Sequence, residues 1–177
     1  VAIPGQSSLG DPNPKFNMSF INNLQYKGIV TFNMQWDWVA GAHLYNQTKQ
    51  WMYRDGIHSD YDMPVTINGE TQAFTSFYRS MYAGGAANGT KNYFYEDASF
   101  WRLRNLSVGL DIAKLTKIKF ANRLQLVLSG RNLLTFTPYS GMDPEVNYST
   151  NSAFDRGLDH NTIPNTKSYT VGLNVGF

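Results

Sequence analysis

The last nine residues of the chain, 169–177, alternate between large apolar side chains and small or polar ones. Successive side chains of an extended strand point to opposite sides, so this segment has one apolar face and one polar face. Strands of transmembrane β-barrels alternate in this way, with apolar side chains towards lipid and polar ones towards the lumen. Strands of soluble β-sandwiches show the same alternation, so this segment alone leaves lipid and a protein core as alternatives.

The same alternation recurs in four earlier segments. Residues 16–26 and 30–40 are separated by only three residues, 27–29, of which Lys27-Gly28 predicts a tight turn between two strands. Further strands are predicted from Phe100 and over 124–133. The first two segments have about the 9–11 residues that a tilted strand needs to cross a bilayer.

The strand that starts at Phe100 changes face part-way along. Leu106 and Val108 lie on one parity, whereas Trp101 and Leu103 lie on the other. We therefore expect a β-bulge near Arg104-Asn105, since one extra residue in a strand restores the apolar side chains to a common face.

The connections between these strands alternate between short and long. Two long polar stretches, 43–97 and 137–165, exceed the roughly 15 residues that compact soluble domains usually tolerate. Up-and-down barrels have short periplasmic turns and long extracellular loops, so we expect both stretches to be extracellular and the carboxyl terminus to be periplasmic. Helical spacing of apolar residues also predicts short helices over about 44–52 and 74–81.

Composition removes several other classes of protein. Hydrophobic residues make up 42% of the 177 residues and the mean hydropathy is −0.38, without any stretch near the roughly 18 apolar residues of a membrane helix. The net charge of +2 argues against nucleic-acid binding. The absence of cysteine excludes disulfides and thiol catalysis.

About five strands are visible, whereas the smallest single-chain barrels have about eight. An open sheet in lipid would leave backbone groups without hydrogen bonds at its edges. The sequence therefore predicts an all-β, antiparallel transmembrane β-barrel segment that belongs to a larger barrel.

Four segments in order resemble one family. They are 10–16, 97–110 (DASFWRLRNLSVGL), 129–146 (SGRNLLTFTPYSGMDPEV) and the terminal strand. Together they resemble the carboxyl-terminal region of SusC/RagA-like TonB-dependent transporters of Bacteroidetes outer membranes. The departures are small: Phe100-Trp101 stands where Tyr-Leu is common, and Asp111 where Tyr is usual.

The resemblance implies that residues 1–177 form the last part of a 22-stranded barrel whose plug domain and earlier strands are not in this sequence. It implies a nutrient importer rather than an enzyme, without a cofactor, that takes up oligosaccharides or peptides. It also implies a SusD-like surface lipoprotein as a lid, and TonB acting through the plug region.

The apolar strand positions are expected to face the membrane lipid. This set is Phe20, Phe32, Met34, Trp36, Leu126, Leu173 and Phe177. The alternative is a soluble carbohydrate-binding β-sandwich, in which Phe32 and Trp36 would lie in a protein core.

Aromatic residues in the first long stretch are candidates for ligand binding, because aromatic faces stack on sugar rings. They are Trp51, Tyr53, Tyr78, Tyr82, Tyr93 and Tyr95. Packing within the loop is the favoured alternative for most of them, since a long loop needs internal anchors. Arg102, Arg104 and Arg131 are expected to face the lumen and to pair with carboxylates of the plug or line the path.

No catalytic set or metal site is predicted. Asp143 and Glu145 have the chemistry of an acid–base pair, but they flank Pro144 in a turn-like segment where a structural role is favoured. The spacing of His58, Asp60 and Asp62 matches no strong metal-binding pattern.

Overall fold

The computed structural model describes residues 10–72, 91–117, 121–148 and 156–176. The chain divides into two compact units. The sheet unit comprises residues 15–40, 99–137 and 165–177, and the loop unit comprises residues 1–14, 41–98 and 138–164.

The described elements follow one another in chain order. They are β1 Phe16–Tyr26, β2 Val30–Ala40, β3 His43–Asn46, α1 Gln47–Asp55, a 3₁₀ helix at Ser59–Asp62, β4 Val65–Ile67, β5 Glu70–Gln72, a second 3₁₀ helix at Lys91–Phe94, β6 Tyr95–Asp97, β7 Phe100–Asp111, α2 Ile112–Thr116, β8 Arg123–Phe136, β9 Leu158–Asp159 and β10 Ser168–Gly176. None of the helices in these ranges has the length and apolar character needed to cross a membrane.

The sheet unit is one antiparallel sheet with the strand order β1-β2-β7-β8-β10. The predicted tight turn joins β1 to β2. Lys27 and Gly28 have φ of 50° and 64°, and the Ile29 N–H donates to the Tyr26 carbonyl at 2.9 Å. Two central residues with positive φ give a turn whose twist matches that of the flanking strands, which fixes the register of this hairpin.

The register aligns the apolar positions of neighbouring strands. Phe20 lies opposite Trp36, Trp36 lies opposite Leu103, and Leu173 lies opposite Leu126. These side chains share one face, on which Phe20 is 52% and Leu173 60% exposed. Of the expected membrane-facing set, Phe177 lies outside the described residues.

Within the sheet unit, the described residues form a single sheet, without a second sheet to cover this apolar face. Their two clusters of buried apolar residues, one around Leu44 and Tyr139 and one around Tyr53 and Phe94, belong to the loop unit. Phe32 and Trp36 are only half-buried. The sandwich alternative therefore lacks the inter-sheet core that it requires.

The expected β-bulge is confirmed. The pairing of β2 with β7 shifts at Gln35/Trp36, and the pairing of β7 with β8 shifts between Leu103 and Asn105. Arg104 is therefore the extra residue of β7, and the apolar residues on either side of it share one face of the sheet.

The loop unit is built around β3, which pairs with β6 in antiparallel and with β9 in parallel orientation. The helix predicted over 44–52 is α1, which begins after Asn46, whose side chain accepts from the Lys49 N–H at 2.8 Å. It ends at Asp55 and is capped by Gly56, where φ is 71°. The helix predicted over 74–81 lies outside the described residues.

Residues 139–146 form a packed turn. The Tyr139 side chain is buried, and its hydroxyl donates to Asp159 Oδ2 at 2.6 Å. The Tyr139 ring lies directly against Gly141. Asp143 is also buried, and its Oδ1 accepts from the Glu145 N–H at 2.9 Å. These contacts support the structural role that we favoured for Asp143.

We expect Gly141→Ala to loosen the loop unit. A Cβ at this position would lie 2.7 Å from Tyr139 Cζ, so the ring must shift, at a cost of about 1–3 kcal/mol. Limited trypsin digestion of the intact protein should cut the loop unit of this variant faster than that of wild type. The control is Gly172→Ala, whose Cβ would meet other atoms only at 4.0 Å. Equal cleavage rates for the two variants would contradict this prediction.

Candidate functional site

Two places in the described chain concentrate polar side chains. One is the polar face of the sheet unit and the other is a pocket in the loop unit.

A chain of hydrogen bonds, which we call the polar belt, crosses the polar face of the sheet. Ser19 Oγ of β1 donates to Asp37 Oδ1 of β2 at 2.8 Å. Arg104 of β7 donates from Nε to Asp37 Oδ2 at 2.6 Å, and from Nη1 to Asn132 Oδ1 of β8 at 3.3 Å. Asn132 Nδ2 donates to the Thr166 carbonyl, just before β10, at 3.1 Å. The polar belt therefore joins four strands and the segment that leads to the fifth.

The bulge explains how Arg104 enters the polar belt. Simple alternation with Leu106 would put Arg104 on the apolar face, but the extra residue turns its side chain to the opposite face. Asn132, which faces the bulge from β8, has φ of 52°. The side chains of Arg104 and Asp37 are 19% and 13% exposed, so each charge is largely shielded from water and compensated by the other.

The other two candidate arginines have different surroundings. Arg102 is buried, donates from Nε to Thr135 Oγ1 at 3.0 Å, and lies 5.1 Å from the centre of the Phe100 ring. Arg131 is exposed and lies opposite Ser168 of β10. Contact of these arginines with the lumen or a plug stays a prediction.

The loop unit contains an open pocket of about 440 Å³. Three segments line it: 46–58, 140–142 and 159–164. Its walls are held by two buried or nearly buried carboxylates. Glu96 accepts from Lys49 Nζ at 3.2 Å and from Ser140 Oγ at 2.8 Å. Asp159 accepts from the hydroxyls of Thr48 and Tyr139 at 2.9 and 2.6 Å.

The sequence did not single out this pocket. Its lining side chains come from three separate segments, the first of which ends 82 residues before the second begins, and Lys49, Met142 and Ile163 follow no common spacing. The one signal in the sequence was the motif at 139–146, which contributes part of the wall.

The four aromatic candidates that the structure describes are not gathered on one surface. Tyr53 is fully buried and packs against Phe94 in the loop unit. Tyr93 is 39% exposed, and its hydroxyl lies 2.9 Å from that of Tyr53. Trp51 contacts His160, with ring centres 4.5 Å apart. Tyr95 stacks on His43. Tyr78 and Tyr82 lie outside the described residues.

Ligand binding by these aromatic residues stays a prediction. The burial of Tyr53 agrees with the packing alternative for that residue. Within the described ranges, no group of three or more His, Asp or Glu side chains is arranged to hold a metal ion.

Burial raises the pKa of several tyrosines in the loop unit, among them Tyr53 and Tyr139. For Tyr53, the hydrogen bond with Asp60 adds to the effect of burial and keeps the pKa far above its ordinary value. For Tyr139, burial and the hydrogen bond to Asp159 do the same. Both phenols therefore act as hydrogen-bond donors that hold the loop unit together.

Comparison with known proteins gives a consistent result. The chain is 34% identical over 182 residues to TonB-dependent receptor P3 of Formosa agariphila, a match that covers 100% of this chain and 18% of the receptor. The resemblance to TonB-dependent receptors is confirmed. TonB-dependent receptors P39 and P26 of the same organism are 36% identical over 104 residues and 25% identical over 177 residues. No family model matches the chain.

Solved structures agree on the fold. The chain has a TM-score of 0.65 and 22% identity to a chain of the RagAB peptide importer in the open-open state, covering 93% of this chain and 17% of the other. The closed-closed state gives a TM-score of 0.62. The chain thus has the fold of a segment of that protein and spans less than a fifth of the TonB-dependent receptors that it matches. Similarity to these receptors indicates an outer-membrane location.

We expect Arg104→Ala to destabilise the sheet unit by about 3 kcal/mol, because it leaves the Asp37 carboxylate shielded from water without its cation. The measurement is the temperature at which the intact receptor loses its folded mobility in detergent gels. Arg131→Ala, which removes an exposed arginine from the same face, is the control and should change that temperature little. If that temperature fell equally in both variants, the Arg104–Asp37 ion pair would add nothing to the stability of the sheet unit.

Tyr53 and Tyr139 should stay neutral above pH 10, where exposed tyrosines ionise. Since their folded pKa values are raised, the stability that they contribute is complete below the unfolded pKa of about 10 and is lost as the pH rises above it. Absorbance of tyrosinate at 295 nm should show that a fraction of the tyrosines ionises only at high pH. This fraction should be smaller in Tyr53→Phe and in Tyr139→Phe than in wild type. Complete titration of wild-type tyrosines by pH 11, with the receptor still folded, would be the contrary result.

Proposed function

We propose that this chain forms the carboxyl-terminal strands of a TonB-dependent outer-membrane importer of nutrients, either oligosaccharides or peptides. The importer works with a SusD-like surface lipoprotein as a lid and receives energy from TonB through a plug region elsewhere in the protein. The observation that carries the proposal is the exposed apolar face of the sheet unit, together with the similarity to TonB-dependent receptors along the whole chain.

Strand length supports a membrane-spanning sheet. The five strands have 11, 11, 12, 14 and 9 residues, close to the roughly 9–11 that cross a bilayer at a tilt. Their apolar face carries residues such as Val171, which is 73% exposed. A water-soluble protein rarely exposes so continuous an apolar surface, whereas lipid hydrocarbon covers it without cost.

Aromatic residues support an orientation of the sheet. Phe16, Trp36, Trp38, Trp101 and Phe136 form a band at the end where β2 and β8 run into the long connections. Ring centres are 5.0 Å apart for Phe16 and Trp38, and 5.1 Å apart for Trp36 and Trp101. Aromatic girdles mark the membrane–water interface, so we assign this end to the outer surface. Loops 43–97 and 137–165 are then extracellular, and the carboxyl terminus is periplasmic.

The sheet edges require further strands. In the described chain β1 pairs only with β2, and β10 only with β8, so each has a free edge. Unpaired backbone groups are costly in hydrocarbon. We therefore propose that other strands of the full protein pair with both edges and close a barrel of 22 strands around the polar face.

Fractionation of cells that produce the full-length receptor tests the proposal. The receptor should stay with outer membranes after washes that strip peripheral proteins, and it should need detergent for extraction. Recovery in the soluble fraction without detergent would overturn the proposal.

Arginine substitutions on the two faces should have opposite outcomes. Position 173 faces lipid, so Leu173→Arg should lower folding stability by about 2–4 kcal/mol. Position 174, one residue further on, faces the lumen, so Asn174→Arg should be tolerated. The measurement is the yield of heat-modifiable, folded receptor in outer membranes. Equal yields for the two variants would contradict the assignment of the faces.

A further inference from the structure

The loop-unit pocket has the two most exposed large apolar side chains in the described chain at its rim. Ile163 is 87% exposed and Met142 is 86% exposed, and both line the pocket although they come from separate segments. Single exposed apolar residues are ordinary on protein surfaces. Two that converge on one concave site are typical of a place where an apolar group binds.

The rest of the lining is also suited to an aliphatic group. Met52 and Pro164 add apolar surface beside Met142 and Ile163. Methionine is flexible and polarisable, so it adapts to apolar groups of different shape. The volume of about 440 Å³ lies within the range of about 300–1,000 Å³ usual for small-ligand pockets.

The polar side chains of the pocket hold its walls. Lys49 Nζ donates to Glu96 and lies 3.3 Å from Ser140 Oγ. Both carboxylate oxygens of Asp159 accept hydroxyl hydrogen bonds, from Thr48 and Tyr139. These groups would have to break existing bonds in order to bind the hydroxyls of a sugar.

The pocket also lacks the platform on which a sugar ring stacks. Among its described lining residues the one ring other than proline is the imidazole of His58, and no Trp, Tyr or Phe contributes. An importer takes its cargo from water. Among water-soluble nutrients of this size, peptides carry aliphatic side chains, whereas oligosaccharides carry hydroxyls.

We infer that this pocket binds an apolar side chain of a short peptide, and that the cargo of the importer is therefore peptide rather than oligosaccharide. This inference rests on the proposed function and makes it more specific. The recognition is hydrophobic: burying a leucine-sized side chain between Met142, Ile163 and Met52 supplies the affinity.

The test uses the full-length receptor purified in detergent and two pentapeptides measured by isothermal titration calorimetry. One peptide has a central leucine flanked by glycine and serine, and the other has serine in place of the leucine. The leucine peptide should bind at least about tenfold more tightly, as expected from the burial of one such side chain.

Variants at the rim test the location. Met142→Asp and Ile163→Asp should each remove most of the preference for leucine, about tenfold, without affecting folding because both side chains are exposed. The matched control is Met63→Asp, a methionine of the same unit that is 57% exposed and does not line the pocket. It should keep the full preference.

Several results would overturn the inference. They are equal affinity for the two peptides, a leucine preference that survives both rim variants, and binding of maltohexaose that is lost in Met142→Asp. Loss of the co-purifying surface lipoprotein in Met142→Asp with an unchanged leucine preference would assign the rim to a protein partner instead. If the receptor still fractionates with outer membranes, the proposed function stands in each of these cases. Failure of the peptide inference is therefore distinguishable from failure of the proposed function.

Discussion

In the proposed importer, the rest of the structure depends on contact between one apolar sheet face and lipid hydrocarbon. The sheet unit buries little apolar surface inside itself, and residues such as Val171 and Leu173 are largely exposed. In water this face would promote aggregation of the protein, whereas in a bilayer it would anchor the protein among the lipids. The same environment accounts for the long, regular hydrogen-bonded strands, because hydrocarbon offers backbone groups no alternative partners.

The opposite face is polar, and its organisation follows from one irregularity. A bulge at Arg104 turns its guanidinium away from the apolar face, and the guanidinium forms an ion pair with Asp37. In a water-poor interior neither charge is stable alone, so the pair and its neighbours in the polar belt fix the relative positions of the strands. The bulge therefore keeps the apolar residues on one face of the sheet and places the charge of Arg104 on the other face.

Most of the sheet was predictable from sequence, because period-two alternation is a local signal. The strands, the turn at Lys27-Gly28 and the bulge near Arg104 all left a readable pattern. The loop unit was much less predictable, since it is assembled from distant contacts such as that of Lys49 with Ser140, 91 residues apart. Aromatic composition suggested Tyr53 as a ligand contact, yet its side chain is in the core, because composition does not reveal which ring is enclosed.

The most direct test of the lipid-facing sheet is a scan along β10. These 177 residues contain no cysteine, so in a full-length receptor whose other cysteines, if any, are replaced, single cysteines introduced at each position from 169 to 175 can each carry one spin label. In lipid vesicles, contact with membrane-dissolved oxygen should be high at positions 169, 171, 173 and 175 and low at the positions between them. Equal accessibility along the strand, or protection of the odd positions from oxygen, would contradict the account.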